Sequence, residues 1–343
     1  MMDIYATAVL RRVLENLDQP ASHLLDAYFP LEQTSDSEEI FFDVDESKPR
    51  LTPFVSPLRA GVIVDDAGFT TKSFRPAYAK DKRKFSPDTP LRRAIGEQIG
   101  GVNTPAERRM AALGRSMNDQ LKMLTRREEV MASEAMRTGA VTVEGDGYPS
   151  VTVDFGRAAG LTKSLTGAAA WGQTGVKPLE LLEAWASDVQ IASGAVSPVV
   201  TMDPQAWRLF RNSASVEKYL EYRRGTNSTL SADPQARGQG SDKARYVGSI
   251  GDFEFWVYQD VYVDGAGATQ QMLPDNTVIM GGSGIEGTRA YGCIQDERAG
   301  YSAQRYFVKS WLEEDPAVRF LLLQSAPLVV PYRVNATLCA TVA

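Results

Sequence analysis

The segment from Thr104 to Gly139 constrains the fold most, because it predicts one helix of unusual length. Thr104-Pro105-Ala106-Glu107 is a capping box with proline at the first helical position, which marks a helix start. At about 1.5 Å per residue the helix would be roughly 50 Å long. Its single apolar stripe predicts a spine lying along a sheet, not a helix buried all round. The stripe is formed by Met110, Leu113, Met117, Leu121, Leu124, Met131 and Ala135, and Gly139 is a natural stop.

A charged run, Arg126-Arg127-Glu128-Glu129, interrupts the second half of this predicted helix. Such a run can contact nucleic acid or a neighbouring subunit. Acids and bases three or four residues apart also form local ion pairs on exposed helix faces. We therefore interpret the run as a solvated helix face.

The region from Ile40 to Arg93 is predicted to be extended. Residues 39–46 (EIFFDVDE) and 60–74 (AGVIVDDAGFTTKSF) are typical of strands, and Asp65-Asp66-Ala67-Gly68 has the composition of a hairpin turn. Six prolines exclude a helix or the centre of a sheet. Because this hairpin has little apolar mass of its own, we expect it to reach out and lie on a neighbour.

Charge is unevenly distributed along this region. Residues 31–50 hold seven acidic and two basic side chains, whereas residues 69–93 hold eight basic and two acidic ones. Adjoining acidic and basic blocks suit complementary contacts between copies, although simple solvation remains the alternative for any single charge. The side chains predicted to make intersubunit contacts are Asp43, Asp45, Glu46, Asp65, Asp66, Phe69, Lys72, Arg75, Lys80, Lys82, Arg83 and Lys84.

The remaining segments predict a mixed α+β fold. Helices are predicted at residues 6–17, at 178–193 and after Asp203-Pro204, and a hairpin at 140–154 with its turn at Glu144–Gly147. Residues 31–39 are interpreted as a polar linker and residues 223–245 as a mobile loop. Further strands are predicted in SPVVTMDP, DFEFWVYQDVYVDG, TVIM and RFLLLQSAPLVVPY, the last broken at Pro327.

Gly282-Ser283-Gly284-Ile285-Glu286-Gly287 matches the G-x-G-x-x-G pattern of dinucleotide-binding proteins. That pattern requires a helix directly after the glycines, because the helix N-terminus meets the pyrophosphate. The residues that follow, Thr288-Arg289-Ala290-Tyr291, are β-prone, and the motif lies too close to the C-terminus for the rest of a doubly wound domain. We interpret the glycines as a turn between strands.

Side chains suited to catalysis or metal binding are scarce. The chain has one histidine, His23, and two cysteines, Cys293 and Cys339. This excludes a disulfide scaffold, a Cys-rich zinc site, and Ser-His-Asp or Cys-His nucleophilic chemistry. His23 is interpreted as a packing residue. No catalytic residue, metal site or cofactor is therefore expected.

The overall charge and hydropathy limit the possible partners. A net charge of −6 argues against tight, sequence-independent binding of nucleic acid over the whole surface. No apolar run is long enough for a membrane span, and the N-terminus lacks a signal-peptide core. The chain is expected to fold and act in a reducing cytoplasm.

Several segments resemble the major capsid proteins of lambda-like tailed phages, the major head protein E family. The specific ones are RRGTNSTL (223–230), LPDNTVIMG (273–281), YGCIQD (291–296) and QSAPLVV (324–330). Weaker similarity extends upstream through VSPL, TPLRR and MDPQAW, so the resemblance covers nearly the whole chain. The segment between Gly281 and Tyr291 is richer in glycine than the family pattern.

The resemblance implies the tailed-phage (Hong Kong 97-type) capsid fold, an α+β fold. Its parts would be an N-terminal arm at 1–39, an extended E-loop at 40–93, and a peripheral domain at 94–189 with the spine helix at 104–138. An axial domain would follow at 190–325, with a C-terminal strand returning to the main body at 326–343.

The function implied by the resemblance is shell building. Copies would form hexamers and pentamers, assemble into an icosahedral procapsid in the host bacterial cytoplasm, and expand to the mature virion capsid when DNA is packaged. The expected partners are the chain itself, a decoration protein, a scaffold and a portal. Packaged double-stranded DNA would make non-specific contacts inside the shell. Some relatives crosslink subunits through a Lys-Asn bond, which is not expected in the lambda-like branch.

Two alternatives remain open at this point. One keeps the fold but makes the shell an encapsulin-like cellular compartment. The other is a nucleotide-dependent oxidoreductase that uses the loop from Gly282 to Gly287. The neighbourhood of the gene would separate a phage from a cellular shell, and binding of NAD would favour the oxidoreductase.

Overall fold

A computed structural model describes residues 5–17, 19–37, 39–45, 51–52, 54–57, 69–88, 91–92, 97, 103–145, 147–216, 243–315 and 317–343. Its helices are α1 (Thr7–Glu15), α2 (Leu24–Tyr28), α3 (Pro105–Thr138), α4 (Pro178–Ser193) and α5 (Pro204–Arg211). The first strands are β1 (Leu31–Thr34), β2 (Ile40–Asp45), β3 (Phe69–Phe74), β4 (Ala79–Phe85), β5 (Ala140–Gly145), β6 (Tyr148–Asp154), β7 (Thr162–Ser164), β8 (Val199–Met202) and β9 (Ala244–Ile250). The later strands are β10 (Phe253–Tyr258), β11 (Val261–Val263), β12 (Thr269–Gln271), β13 (Thr277–Gly281), β14 (Gly287–Tyr291), β15 (Phe307–Glu313), β16 (Val318–Ser325), β17 (Pro327–Pro331) and β18 (Leu338–Thr341).

The long helix predicted from the capping box is confirmed as α3, which has 34 residues. The Thr104 side chain accepts a hydrogen bond from the Glu107 backbone N–H, and the Glu107 carboxylate accepts one from the Thr104 N–H. At the other end Gly139 adopts a left-handed conformation (φ 74°) that ends the helix. Local sequence therefore sets both ends of this element.

The largest sheet has six strands in the order β7-β18-β13-β8-β10-β9 and lies between helices. Along β13, Val278 and Met280 point to a core cluster that includes side chains of α4 and α5. Ile279, between them, points to a second cluster that contains Met131 and Ala135 of α3. Because successive strand residues face opposite sides, the buried strand TVIMG separates the two cores.

The first half of α3 packs on a different sheet. The strands β15, β16 and β4 form a three-stranded antiparallel sheet in that order. Leu321 and Leu323 of β16 join Leu113, Met117 and Leu121 of α3 in one cluster, which also includes Leu10 and Leu14 of α1. The prediction that α3 is a spine along sheets is therefore confirmed.

The segment interpreted as a polar linker, residues 31–39, contains a strand. Residues Leu31–Thr34 form β1, which runs parallel to β14 from Leu31 opposite Thr288 to Thr34 opposite Tyr291. The opposite edge of β14 pairs with β17. The linker interpretation was wrong here because the partner strand lies more than 250 residues away in sequence, beyond the reach of any local pattern.

The extended region differs from its predicted arrangement in two respects. β3 pairs with β2, with Ile40 opposite Phe74 and Asp45 opposite Phe69, whereas the sequence suggested pairing across the turn at Asp65–Gly68. That turn lies outside the described residues. β4 is an edge strand of the body, hydrogen-bonded to β16 from Ala79 to Phe85, and does not project from it. Its partner contributes the apolar surface that the region itself lacks.

Other predicted elements are confirmed. The hairpin at 140–154 is β5 and β6, helix 178–193 is α4, and the Asp203 side chain caps α5 by accepting from the backbone N–H groups of Gln205 and Ala206. Pro327 separates β16 from β17, which lie in different sheets. The loop predicted at 223–245 lies outside the described residues except at its end, where β9 begins at Ala244.

Gly287 lies where α2 approaches β14, and a side chain there would be destabilising. A Cβ atom on Gly287 would overlap the Tyr28 carbonyl oxygen and lie 2.6 Å from Cδ1 of Phe29. Gly287→Ala is expected to lower the free energy of unfolding by about 3 kcal/mol, since both neighbours are buried and must shift. Urea denaturation measures this change.

A matched control is Gly114→Ala in α3. A Cβ atom there has nothing within 4 Å, so the variant is expected to gain about 0.5–1 kcal/mol from helix propensity. Equal effects of the two substitutions would contradict the close approach of α2 to β14.

Candidate assembly surface

Four lysines lie on the outer side of the sheet formed by β15, β16 and β4. The side chains of β4 alternate, so that Lys80, Lys82 and Lys84 are exposed while the residues between them turn towards α3. Lys309 of β15 lies on the same side, since Leu322 is opposite both Lys82 and Lys309. We call this set, Lys80, Lys82, Lys84 and Lys309, the basic face.

Aromatic rings lie beside the basic face and hold its central lysine. The Lys82 Nζ atom lies 4.0 Å from the ring centre of Phe320 and 5.3 Å from that of Trp311. Lys80 lies 5.0 Å from the ring centre of Tyr78. Such cation–π contacts leave most of the ammonium group available to a partner.

Arg83 points to the opposite side of β4 from the predicted lysines. Its guanidinium group donates to Asp81 Oδ2 and Asp119 Oδ2, both at 2.8 Å, and so ties β4 to the middle of α3. This side chain therefore has partners within its own chain. The basic face consists of the lysines alone.

The predicted contact residues before β4 lie around the hairpin formed by β2 and β3. The backbone of Asp43 and Asp45 belongs to β2 and that of Phe69 to β3; Glu46, Asp65 and Asp66 lie outside the described residues. The Lys72 Nζ atom donates to the Asp154 carbonyl oxygen at 2.7 Å. The Arg75 carbonyl oxygen accepts from the Tyr148 hydroxyl at 2.6 Å. Lys72 and Arg75 therefore dock the base of this hairpin on β6.

The run from Arg126 to Glu129, interpreted as a solvated face, is half buried. Arg126 and Arg127 are exposed, but Glu128 and Glu129 are each only 1% exposed. That interpretation was wrong because both glutamates lie on the side of α3 that faces the body. Helical spacing gave the signal: Glu128 follows Leu121 and Leu124 and precedes Met131 on the apolar stripe.

Glu129 anchors the N-terminal segment to α3. Its Oε1 atom accepts from the backbone N–H groups of His23 (3.0 Å) and Leu24 (2.9 Å), and Oε2 accepts from that of Leu25 (3.1 Å). The Tyr258 hydroxyl donates to Oε1 at 2.9 Å. Burial raises the pKa of the carboxyl and these donors oppose the rise. One side chain thus caps α2 and links it to α3 and β10.

Glu128 belongs to a more loosely paired cluster. The closest Glu128–Arg305 pair joins Oε2 to Nη2 at 3.9 Å, and neither carboxylate oxygen has a hydrogen-bond donor. Arg305 and Arg289 also lie 3.4 Å and 3.7 Å from Glu32 Oε1 of β1. Burial raises the pKa of Glu128 to about 7 and outweighs the opposing effect of the two arginines.

His23 is buried at the start of α2, as the packing interpretation requires. Its ring lies 5.2 Å from the ring of Tyr258 and 5.4 Å from that of Trp256, measured between centres. The Nε2 atom lies 3.2 Å from the Thr201 hydroxyl. Burial lowers the pKa of His23 to about 4, so the ring is neutral at physiological pH.

The glycine motif forms a turn between strands, as predicted. A short 3-10 turn at Ser283–Ile285 separates β13 from β14, and no helix follows Gly287. A Cβ atom on Gly282 would lie 2.8 Å from Pro198 Cδ, and one on Gly284 would lie 2.8 Å from Ala195 Cβ. The glycines thus allow the turn to approach residues 195–198, which leaves no helix N-terminus to receive a pyrophosphate.

Searches for other kinds of site gave little. No group of His, Cys, Asp and Glu side chains suited to a metal ion occurs in the part of the chain that the structure describes. Over the same residues, no helix combines the length and apolar character needed to cross a membrane.

Comparison with known proteins gives a consistent result over the whole chain. Residues 6–342 match the family model described as phage major capsid protein E. The major capsid protein of Escherichia phage lambda is 31% identical over 96% of both chains, and that of Escherichia phage N15 is 32% identical over the same share.

Solved structures share the fold. A protein of an Escherichia coli CFT073 prophage, whose crystal structure is described as that of a capsid protein, superposes with a TM-score of 0.76 at 23% identity. The superposition covers 98% of this chain and 99% of the other. The capsid of Ralstonia phage GP4 gives a TM-score of 0.52 at 12% identity, covering 96% and 92%. The chain therefore has the α+β fold of tailed-phage capsid proteins, and it belongs to the phage major capsid protein E family.

Proposed function

We propose that copies of this chain assemble, as hexamers and pentamers, into the icosahedral shell of a tailed-phage head that encloses double-stranded DNA. The observation that carries this proposal is the family match over residues 6–342 together with the shared capsid fold. The role is structural and not enzymatic, consistent with a buried, neutral His23 and a glycine turn without a following helix.

The division of labour within the subunit follows from the same proposal. Residues 1–39 would act as the N-terminal arm, 40–93 as the E-loop, and 94–189 as the peripheral domain around α3. Residues 190–325 would form the axial domain, and 326–343 would return to the body. The anchoring of residues 23–25 by Glu129 supports an arm whose root is fixed on α3.

The intersubunit contacts are proposed to be electrostatic on one side of the subunit. The basic face presents four lysines on a rigid sheet, and residues 31–50 carry a net excess of acidic side chains. Complementary charges of this kind steer association and fix the relative position of copies. The acidic positions Asp43, Asp45, Glu46, Asp65 and Asp66 are proposed to meet basic side chains of a neighbour.

Further partners follow from a role in the phage head. A decoration protein, a scaffold and a portal are proposed to contact the shell, which would assemble in the bacterial cytoplasm and expand during DNA packaging. The contact with packaged DNA would be non-specific. The oxidoreductase alternative loses its support because β14 follows the glycine turn directly, and the curated relatives favour a phage shell over a cellular compartment.

Reversing the charge of the basic face tests the proposed contact. The double variant Lys82→Glu, Lys84→Glu is expected to raise the protein concentration needed for assembly about tenfold at low salt, with a smaller difference as salt screens the contact. Light scattering measures assembly, and circular dichroism confirms the fold of the subunit.

The matched control is Lys82→Arg, Lys84→Arg, which keeps both charges. This variant is expected to assemble like the unmodified chain. Normal assembly of the charge-reversed variant at every salt concentration would contradict a role of these lysines between subunits.

A further inference from the structure

A cavity of about 140 Å³ lies between the start of α2 and the middle of α3, and basic side chains line it. Lys122 and Arg126 contribute from α3, Ser22 from the segment before α2, and Lys243 from the start of β9. A water molecule occupies about 30 Å³ in the liquid, so the cavity has room for a small solvated ion. It is separate from the basic face of the outer sheet.

A buried hydroxyl in this cavity lacks a partner. Thr125, which lies between Lys122 and Arg126 in sequence and lines the cavity, is only 5% exposed. Its Oγ1 atom makes no hydrogen bond, although a helical threonine can usually donate to the carbonyl oxygen of the preceding turn. Buried hydroxyls are almost always paired, so an orphaned one beside a cavity indicates a missing acceptor.

Lys122 and Arg126 are also available to a ligand. Over the described residues, neither side chain makes a hydrogen bond or an ion pair, and both are exposed. They are one helical turn apart, a spacing that brings both charged groups to the same side of α3. Two cations and one hydroxyl therefore converge on the cavity without an internal acceptor.

The acidic residues nearby are already occupied. Both oxygens of Glu129, which lines the cavity floor, accept hydrogen bonds from residues 23–25 and from Tyr258. Asp260 pairs with Lys243 at 2.6 Å. Neither carboxylate is placed to satisfy Lys122, Arg126 or Thr125, so the unpaired charge in the cavity is positive.

We propose that this cavity binds a tetrahedral oxyanion of the phosphate class, held by Lys122, Arg126 and the Thr125 hydroxyl. A phosphate group offers several acceptor oxygens in different directions, which matches an ammonium, a guanidinium and a hydroxyl approaching from separate positions. Arginine in particular recognises phosphate through its planar fork of donors. The site goes beyond shell building, and its failure would leave that function untouched.

Two sources can supply this chemistry: free inorganic phosphate and the phosphodiester backbone of nucleic acid. Titration of the full-length chain with inorganic phosphate, by calorimetry against chloride at matched ionic strength, tests the first. Titration with a short double-stranded oligonucleotide tests the second. Binding of the oligonucleotide through this cavity would place packaged DNA as the source, and a response to phosphate alone would assign the free ion.

Three variants define the expected result. Lys122→Gln with Arg126→Gln should weaken phosphate binding about tenfold or more, because two charge-assisted hydrogen bonds are lost. Thr125→Val, which keeps the shape of the side chain, should weaken it severalfold without unfolding the helix. Arg127→Gln removes an exposed charge next to Arg126 but outside the cavity, and should bind like the unmodified chain.

Several outcomes would overturn the assignment. One is an unmodified chain that does not bind phosphate or the oligonucleotide more tightly than chloride. Another is an equal loss of binding in Arg127→Gln and in the cavity variants, which would indicate general surface charge. A loss of shell formation in Lys122→Gln, Arg126→Gln without any phosphate response would assign the cavity to a carboxylate from a neighbouring copy.

Discussion

Replacing Glu129 with alanine is expected to lower the free energy of unfolding by about 4 kcal/mol, because it leaves several buried donors without an acceptor. The carboxylate accepts three backbone N–H groups, from His23, Leu24 and Leu25, and the Tyr258 hydroxyl. Its side chain is almost completely buried. Urea denaturation followed by tryptophan fluorescence measures the loss.

The effect should be local as well as global. Since residues 23–25 lose their attachment to α3, amide hydrogen exchange at these positions should rise more than exchange in β13. Glu129→Gln keeps one acceptor oxygen and should restore part of the stability. Glu183→Ala, an exposed glutamate on α4, is the control and should change stability by no more than about 0.5 kcal/mol. A loss at Glu129 as small as at Glu183 would contradict the anchoring role.

Replacing Glu128 with glutamine is expected to make the subunit more stable above neutral pH and to flatten its pH dependence. Burial raises the pKa of this carboxyl to about 7 from a model value of 4.5. The folded chain therefore favours the protonated form. The resulting stability is fully present below about pH 4.5 and is lost as pH rises through about 7.

The size of the effect follows from the shift. A difference of about 2.5 units between folded and unfolded chains corresponds to about 3 kcal/mol at high pH. Glutamine keeps the shape but cannot ionise, so the variant should exceed the unmodified chain by about this amount near pH 8 and match it near pH 4.5. Urea denaturation at a series of pH values measures both curves. A difference that does not change with pH would contradict the buried titration of Glu128.

This titration also concerns the N-terminal arm. Arg305, the closest cation to Glu128, lies 3.4 Å from Glu32 of β1 as well, so the two glutamates compete for one guanidinium group. When Glu128 is neutral, Arg305 can pair fully with Glu32. Glu32→Gln should therefore raise the pKa of Glu128 less than Arg305→Gln does, because only the second change removes the attractive charge.

The parts of the fold that sequence predicted are those with local causes. The capping box and Gly139 set the ends of α3, Asp203-Pro204 starts α5, and Pro327 divides β16 from β17. In each case the deciding side chain lies within a few residues of the boundary that it creates. The glycine turn was also readable, because the β-prone residues after Gly287 excluded a helix.

The parts that sequence did not predict depend on distant partners. β1 exists because β14 offers an edge, and β4 joins the body because β16 does. The burial of Glu128 and Glu129 could be inferred from their place on the apolar stripe of α3, but their charge suggested the surface. The donors that make Glu129 tolerable inside come from residues 23–25 and Tyr258, which no pattern in α3 reveals.

Of the predicted contact residues, the structure separates two kinds. Lys80, Lys82 and Lys84 share an exposed face, whereas Arg83 is paired with Asp81 and Asp119 inside its own chain. The alternation along one strand decided this, and it needed the position of β4 in its sheet. The intersubunit role of the lysines and of the acidic block remains a prediction.

Electron microscopy of the purified chain tests the central claim most directly. Negatively stained samples prepared under assembly conditions should show closed shells, or rings of five and six subunits that convert to shells at higher concentration. A small, monodisperse oligomer that forms neither rings nor shells, and that binds NAD, would contradict the account.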